Sequence, residues 1–362
     1  MLSYWLLFFL PAYWAVSRLK PVYSNSVLIL RDRWPTAWRF TFAILVLMIG
    51  LRHEVGGDWS TYILLLDSYT DNNRSADTFN FQDPAFVLLN LLSVWTGLGV
   101  YLLNLISAVF FSWGLVVFCR IQPRPWLALV VAVPYLITVV AMGYTRQGVA
   151  IGVAMVAMVA LADGRTMRFM FWIAFAALFH KSAIILVPMA IIANTKRRIL
   201  TLLWVATAAL ILYFLLLQEA LSFLIQGYIE AEYQSTGAAI RIAMNALPAA
   251  LFLIFLKRFH LTSQQSSFWK WMAWGALLFI PILLVSPSST AVDRVALYWI
   301  PIQLFVLSRL PNALGNVAGK NVGWVYAVVA YSAAVHFVWL FYADTAFAWL
   351  PYKFYPWVWL WQ

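Results

Sequence analysis

Residues 202–217 read LLWVATAALILYFLLL, a run without charge, proline or glycine. The run does not alternate apolar and polar residues, as a membrane-barrel strand must when one face meets lipid and the other the lumen. Uninterrupted apolarity suits an α-helix, which satisfies its own backbone in hydrocarbon. Similar runs recur along the chain, so the choice extends to all of it. Hydrophobic residues make up 64% of the 362 and charged residues 10%, against about 45–50% and about 25% in soluble domains. The expected fold is an all-α polytopic membrane protein, with 1–362 forming one integral domain.

Twelve spans are predicted, at 2–16, 39–51, 99–118, 127–142, 148–162, 169–180, 183–194, 199–217, 242–256, 271–286, 295–308 and 322–342. The apolar piece 84–96 is read as a re-entrant or interfacial helix, because a thirteenth span would break the alternation of charge between loops. No basic residue precedes the first run, which argues against a cleaved signal peptide. With this choice, all but seven of the 24 Lys and Arg fall on one set of loops, beside only Asp32 and Asp163. Cytoplasmic loops carry such an excess, so both termini are expected outside. The net charge of +11 is then a topology signal, and no nucleic-acid partner is expected. The single cysteine, Cys119, allows neither an internal disulfide nor a thiol–metal cluster.

The seven exceptions are Arg52, Arg74, Arg146, Lys181, Arg241, Arg294 and Lys353. Arg74 and Lys353 lie in long loops and read as solvated charges. The other five stand at the outer mouths of five different segments, at one depth. A lipid-linked pyrophosphate needs such an arrangement. Its head sits at the interface, and guanidinium forks match phosphate oxygens and stabilise charge on a departing diphosphate. Sugar transfer also needs a base for the acceptor hydroxyl. The candidates are His180 in FHKS (179–182) and Glu54 and Asp58 in RHEVGGDWSTY (52–62), where His53 adds a supporting group. His53, Glu54 and Asp58 form no standard metal set, and neither metal nor cofactor is expected. Gln147 follows Arg146, and Tyr298 lies one turn from Arg294 on the same helix face. Tyr62 and the outer aromatics offer faces for sugar rings. The outward loops 52–98 and 218–241 are expected to form the lip of the site.

The order of these pieces resembles the EpsG-like branch of the Wzy-type polysaccharide polymerases. The elements are Arg52–Gly56–Asp58–Tyr62, DPAFVLLN (83–90), Arg146–Gln147, FHKS, Arg294–Tyr298 and the late Pro351–Tyr352, spanning about 50–352. The resemblance implies a GT-C-like membrane glycosyltransferase of exopolysaccharide or O-antigen type, independent of metal. It would join oligosaccharide repeats carried on undecaprenyl pyrophosphate at the outer face of the bacterial inner membrane, with the site facing the periplasm. Membrane lipid and a chain-length-regulating co-polymerase are its expected partners. In that frame Arg146, Arg294, Arg52, Arg241 and Lys181 hold pyrophosphate, and one of His180, Asp58 or Glu54 takes the proton. A flippase for the same lipid-linked sugar would also need a cationic cavity. It should carry cations to the midplane, which the span interiors almost wholly lack. A ligase of the O-antigen type should carry a larger outer loop than 218–241.

Overall fold

The computed structural model describes residues 1–22, 33–70, 83–193, 203, 205–208, 210 and 234–360. Among them the chain is helical, with no strand; Arg52 and Phe354 form one isolated antiparallel bridge. The predicted span 199–217, the loop 218–233 and Arg74 lie largely or wholly outside the described residues.

The chain opens with α1 (Leu2–Ser17) and α2 (Thr36–Gly50). Helix α1 buries Tyr4, Leu7, Phe8, Pro11, Ala12 and Ala15 and exposes Leu2, Leu6, Phe9 and Tyr13. One helical stripe thus faces the bundle, while an equally apolar stripe faces outward, as a lipid-bathed helix requires. Two short helices follow, α3 (Trp59–Thr70) and α4 (Pro84–Trp95). The second is the expected helix at 84–96. The first was expected as loop.

Next come α5 (Gly99–Arg120), α6 (Pro125–Ala132), α7 (Thr145–Ala162) and α8 (Thr166–Phe179). Helix α6 continues as a π-helical stretch, Val133–Ala141. A 3₁₀ turn, Lys181–Leu186, leads into α9 (Pro188–Ala193). Beyond the undescribed stretch are α10 (Ala238–Ile254) and α11 (Ser263–Val285). Then α12 (Ser289–Ala296) and α13 (Pro301–Leu314) form one line bent by 46°. The chain ends in α14 (Val322–Tyr342) and the short α15 (Tyr355–Leu360).

Four of these helices, α5, α7, α11 and α14, are long and apolar enough to cross a bilayer; the bent α12–α13 pair makes a fifth on the same test. The other predicted spans are apolar helices of 10–17 residues, or lie outside the described residues. The predicted span at 295–308 starts earlier, at Ser289, because the Ser288 hydroxyl accepts from the Ala291 N–H and caps the helix.

Helix α7 is the hub. Sixteen of its 18 residues are buried, and its small residues let neighbours approach to backbone contact. A Cβ on Gly114 of α5 would stand 1.9 Å from the Gly152 carbonyl oxygen, and one on Gly152 would stand 2.6 Å from the Phe111 Cα. Gly148 and Gly152 stand four apart, a small-residue spacing that marks close helix contact, and Gly152 makes that contact with α5. The C-terminal segment closes one end of this hub. The Trp349 indole N–H donates to the Thr138 carbonyl at 2.8 Å, inside the π-helical stretch. That winding leaves carbonyls without the usual i+4 partner. Tyr4 donates to the Trp349 carbonyl at 2.7 Å, and Tyr352 to that of Met48 at 2.8 Å.

Candidate active site

The end of the bundle closed by Trp349 also gathers the sequence elements. Arg52 follows the last turn of α2 and is 1% exposed. Its guanidinium donates to the carbonyls of Ile49 and Val55, to Asn104 Oδ1 at 2.9 Å and to Thr145 Oγ1 at 2.7 Å. It therefore ties the end of α2 to α5 and to the start of α7. Gly56, at φ 109°, passes so close to the end of the π-helical stretch that a Cβ would lie 2.1 Å from the Met142 carbonyl oxygen. No L-residue side chain fits that turn. Arg52 and Gly56 together aim the next polar residue, Asp58, at the start of α7. The Asp58 N–H donates to the Gly143 carbonyl at 3.3 Å.

Around Asp58 stand groups from α3, α4, α7, α8 and α12. Tyr62 donates to Asp58 Oδ2 at 3.4 Å and accepts from the Arg146 N–H at 3.4 Å. Burial raises the Asp58 carboxyl above its ordinary range; the charges of Arg294 and Arg146 pull the other way, helped by the Tyr62 hydrogen bond. Arg146 lies over the Phe86 ring at 5.6 Å with Nη1 3.8 Å from Asp83 Oδ2. Arg294 lies over the Tyr144 ring at 3.8 Å. Both cations thus rest on aromatic faces.

Asp83 is the residue that sequence reasoning passed over. It opens DPAFVLLN (83–90). It occupies the N-cap position of α4, yet its side chain makes no capping bond. Instead Oδ1 accepts from the Lys181 N–H at 3.0 Å, and Oδ2 lies 3.6 Å from His180 Nδ1. Asp83 is 5% exposed. It thereby joins α4, α7 and the break after α8, where His180 leaves helical geometry at φ −158°, ψ 111°.

The remaining candidates are placed nearby, with partners of their own. The Gln147 side chain donates to the Arg294 carbonyl, holding α12 against α7. Tyr298 is fully buried and accepts from Ser182 at 3.0 Å. The Lys181 side chain is buried, 7% exposed. Arg241 forms a two-point pair with Asp293, at 2.8 Å on each oxygen, and also donates to Ser235. His53 and Glu54 face another way. His53 Nδ1 shares a 2.6 Å hydrogen bond with Tyr101, its N–H donates to the Lys353 carbonyl at 2.9 Å, and Glu54 pairs with the Lys353 ammonium. That pairing holds the Glu54 carboxyl below its usual value. With Trp59, Tyr101 and Tyr355 these two form a separate aromatic cluster. The stretch 52–58 is therefore split: a staple at 52, an aromatic platform at 53–54 and a site carboxylate at 58.

The arrangement presents two arginines, two carboxylates and an imidazole at one end of a helical bundle. Among the described residues no group of three or more His, Cys, Asp or Glu could hold a metal ion. The model of the EpsG family matches residues 36–354. No curated protein and no solved structure matches the chain.

Proposed function

The chain belongs to the EpsG family, and we propose that it is a membrane glycosyltransferase that polymerises lipid-linked oligosaccharide repeats. Family membership and the apolar helices support the general class, a membrane protein of polysaccharide-polymerase type. The finer reading takes a glycan on undecaprenyl pyrophosphate as donor and a new lipid-linked repeat as acceptor. The reaction is placed at the outer face of a bacterial inner membrane, within a GT-C-like bundle of about twelve spans. Membrane lipid and a co-polymerase that sets chain length are its partners.

The observation that carries the reading is the meeting of Arg146 and Arg294 with Asp58, Asp83 and His180, from separate segments, at one end of the bundle. Arg146 and Arg294 take the diphosphate. As the bond from the anomeric carbon to the phosphate oxygen breaks, its electron pair leaves on that oxygen and the guanidiniums stabilise the charge. The acceptor hydroxyl attacks the opposite face, which inverts the centre, and gives its proton to His180. The Asp83 carboxylate, 3.6 Å from Nδ1, favours by its charge the tautomer protonated there and leaves Nε2 open as base. Asp58 keeps the two cations together until substrate arrives. Arg52 positions the loop, and the His53–Tyr101–Tyr355 platform receives a sugar ring.

The test uses purified protein in detergent with lipid-linked repeats supplied directly, reading glycan length. Wild type should lengthen chains. Arg146→Ala and Arg294→Ala should each slow lengthening by about 10²–10³, and His180→Ala by about 10²–10⁴. Lengthening at the wild-type rate in the arginine variants removes the roles assigned here. A well-folded wild type that never lengthens chains in this assay points to the flippase instead.

A further inference from the structure

The opposite end of the bundle holds a cationic hollow, and what it implies is independent of the polymerase reading. Helix α5 begins at Gly99, near the site, and ends at Arg120, a length of 22 residues. At 1.5 Å per residue that end is roughly 30 Å away. There a cavity of about 310 Å³ opens between the end of α1, the start of α2, the end of α5 and the start of α6. Arg18, Lys20, Arg33, Arg120 and Arg124 line it, and among the described lining residues there is no Asp or Glu. The positive-inside rule explains basic residues at a cytoplasmic end. It does not explain why five from three separate segments converge on one hollow.

The walls are built for a head group. Trp38 and Trp126 stack at 4.3 Å, Trp14 stacks on Trp126 at 5.7 Å, and Arg18 lies over Trp14 at 4.6 Å. Arg124 is fixed by bonds to neutral oxygens, Asn312 Oδ1 at 2.8 Å and the Gly319 carbonyl at 2.9 Å. It contributes a placed charge. Arg18, Lys20 and Arg33 are exposed at the mouth.

One helical turn beyond this hollow lies the apolar seam of α1 and α2. A second cavity, about 170 Å³, is lined in part by Pro11, Thr41 and Leu129. Each is one helical turn from Ala15, Trp38 and Trp126 of the cationic cavity. It shares Leu6, Ile44 and Met48 with a larger apolar groove of about 780 Å³ at the other end. A row of cations at the mouth of an apolar seam matches an anionic head on a hydrocarbon chain.

We infer that this seam holds an anionic phospholipid, its phosphate among Arg18, Lys20, Arg33, Arg120 and Arg124 and an acyl chain between α1 and α2. The full chain in detergent is titrated with phosphatidylglycerol, phosphatidylcholine or inorganic phosphate while Tm is followed, and retained lipid is counted by native mass spectrometry. Phosphatidylglycerol should raise Tm and be retained; phosphatidylcholine and inorganic phosphate should do neither. In Arg18→Gln/Lys20→Gln/Arg33→Gln, phosphatidylglycerol should bind about a hundredfold more weakly. These three positions are exposed, so the fold should survive. Arg33→Gln alone serves as the second variant, with a smaller loss. Lys257→Gln/Arg258→Gln, outside the cavity, should bind like wild type. Equal shifts with phosphatidylcholine, a shift from inorganic phosphate alone, or undiminished binding in the triple variant overturn the inference.

Discussion

Asp58 carries a conflict between burial and its neighbours. Burial raises its carboxyl pKa more than Arg294 and Arg146 lower it. Below the ordinary Asp value of about 3.9, the group is protonated folded or unfolded and contributes no difference. As pH rises from there through the raised folded value, ionisation costs the folded state more than the unfolded one. Asp58→Asn should therefore raise Tm at pH 7, with the gain vanishing below about pH 3.9, while polymer production falls. A lower Tm at neutral pH contradicts this account of the carboxyl. Arg52 and Arg146 separate in the same way. Arg52→Ala removes the donor to Thr145 and two carbonyls and leaves Asn104 Oδ1 with the Thr145 hydroxyl alone, a cost of at least about 3 kcal/mol. Its yield of folded protein by size-exclusion should collapse, whereas Arg146→Ala, 38% exposed at the side chain, should give normal yield and lengthen chains about 10²–10³ more slowly. Sequence marked both arginines for the same reason, an outward cation at a helix mouth. It could not tell them apart, because the difference lies in acceptors at positions 49, 55, 104 and 145.

At the scale of elements, the strongly apolar helices were legible and the weakly amphipathic one was not. Helix α3 buries only Tyr62 and Leu66 fully and ends in polar residues, so its stretch reads as loop. Asp83 was hidden by a different ambiguity. An Asp before a Pro that opens a helix reads as an N-cap, but its carboxylate turns to Lys181 and His180 instead. That partner lies 98 positions away, and no local pattern announces it. The Gly148–Gly152 spacing did announce a close helix contact, without naming its partner, Gly114. Gly114→Val should force α5 off α7, since even a Cβ meets the Gly152 carbonyl at 1.9 Å. A loss of about 1–3 kcal/mol or more, read as a lower Tm, is expected. An unchanged Tm means the two helices do not pack as described.

For the whole molecule, the charge pattern sets an orientation that chemical labelling checks. Cys119 is fully buried and should stay silent. Thr96→Cys, exposed after α4, should react with a membrane-impermeant maleimide in intact spheroplasts. Arg258→Cys, exposed after α10, should react only once the membrane is opened. The reverse pattern turns the bundle over and puts the proposed site in the cytoplasm. Everything assigned to that site depends on two guanidiniums, one from α7 and one from α12, closing on a single diphosphate. The direct measurement is the affinity of the purified chain for an isoprenyl pyrophosphate and for the matching monophosphate, in wild type, Arg146→Ala and Arg294→Ala. Each substitution should weaken pyrophosphate binding by tenfold or more, at about 1.5–3 kcal/mol for a charged hydrogen bond, and shrink the preference over monophosphate. Pyrophosphate affinity unchanged in both folded variants contradicts the account.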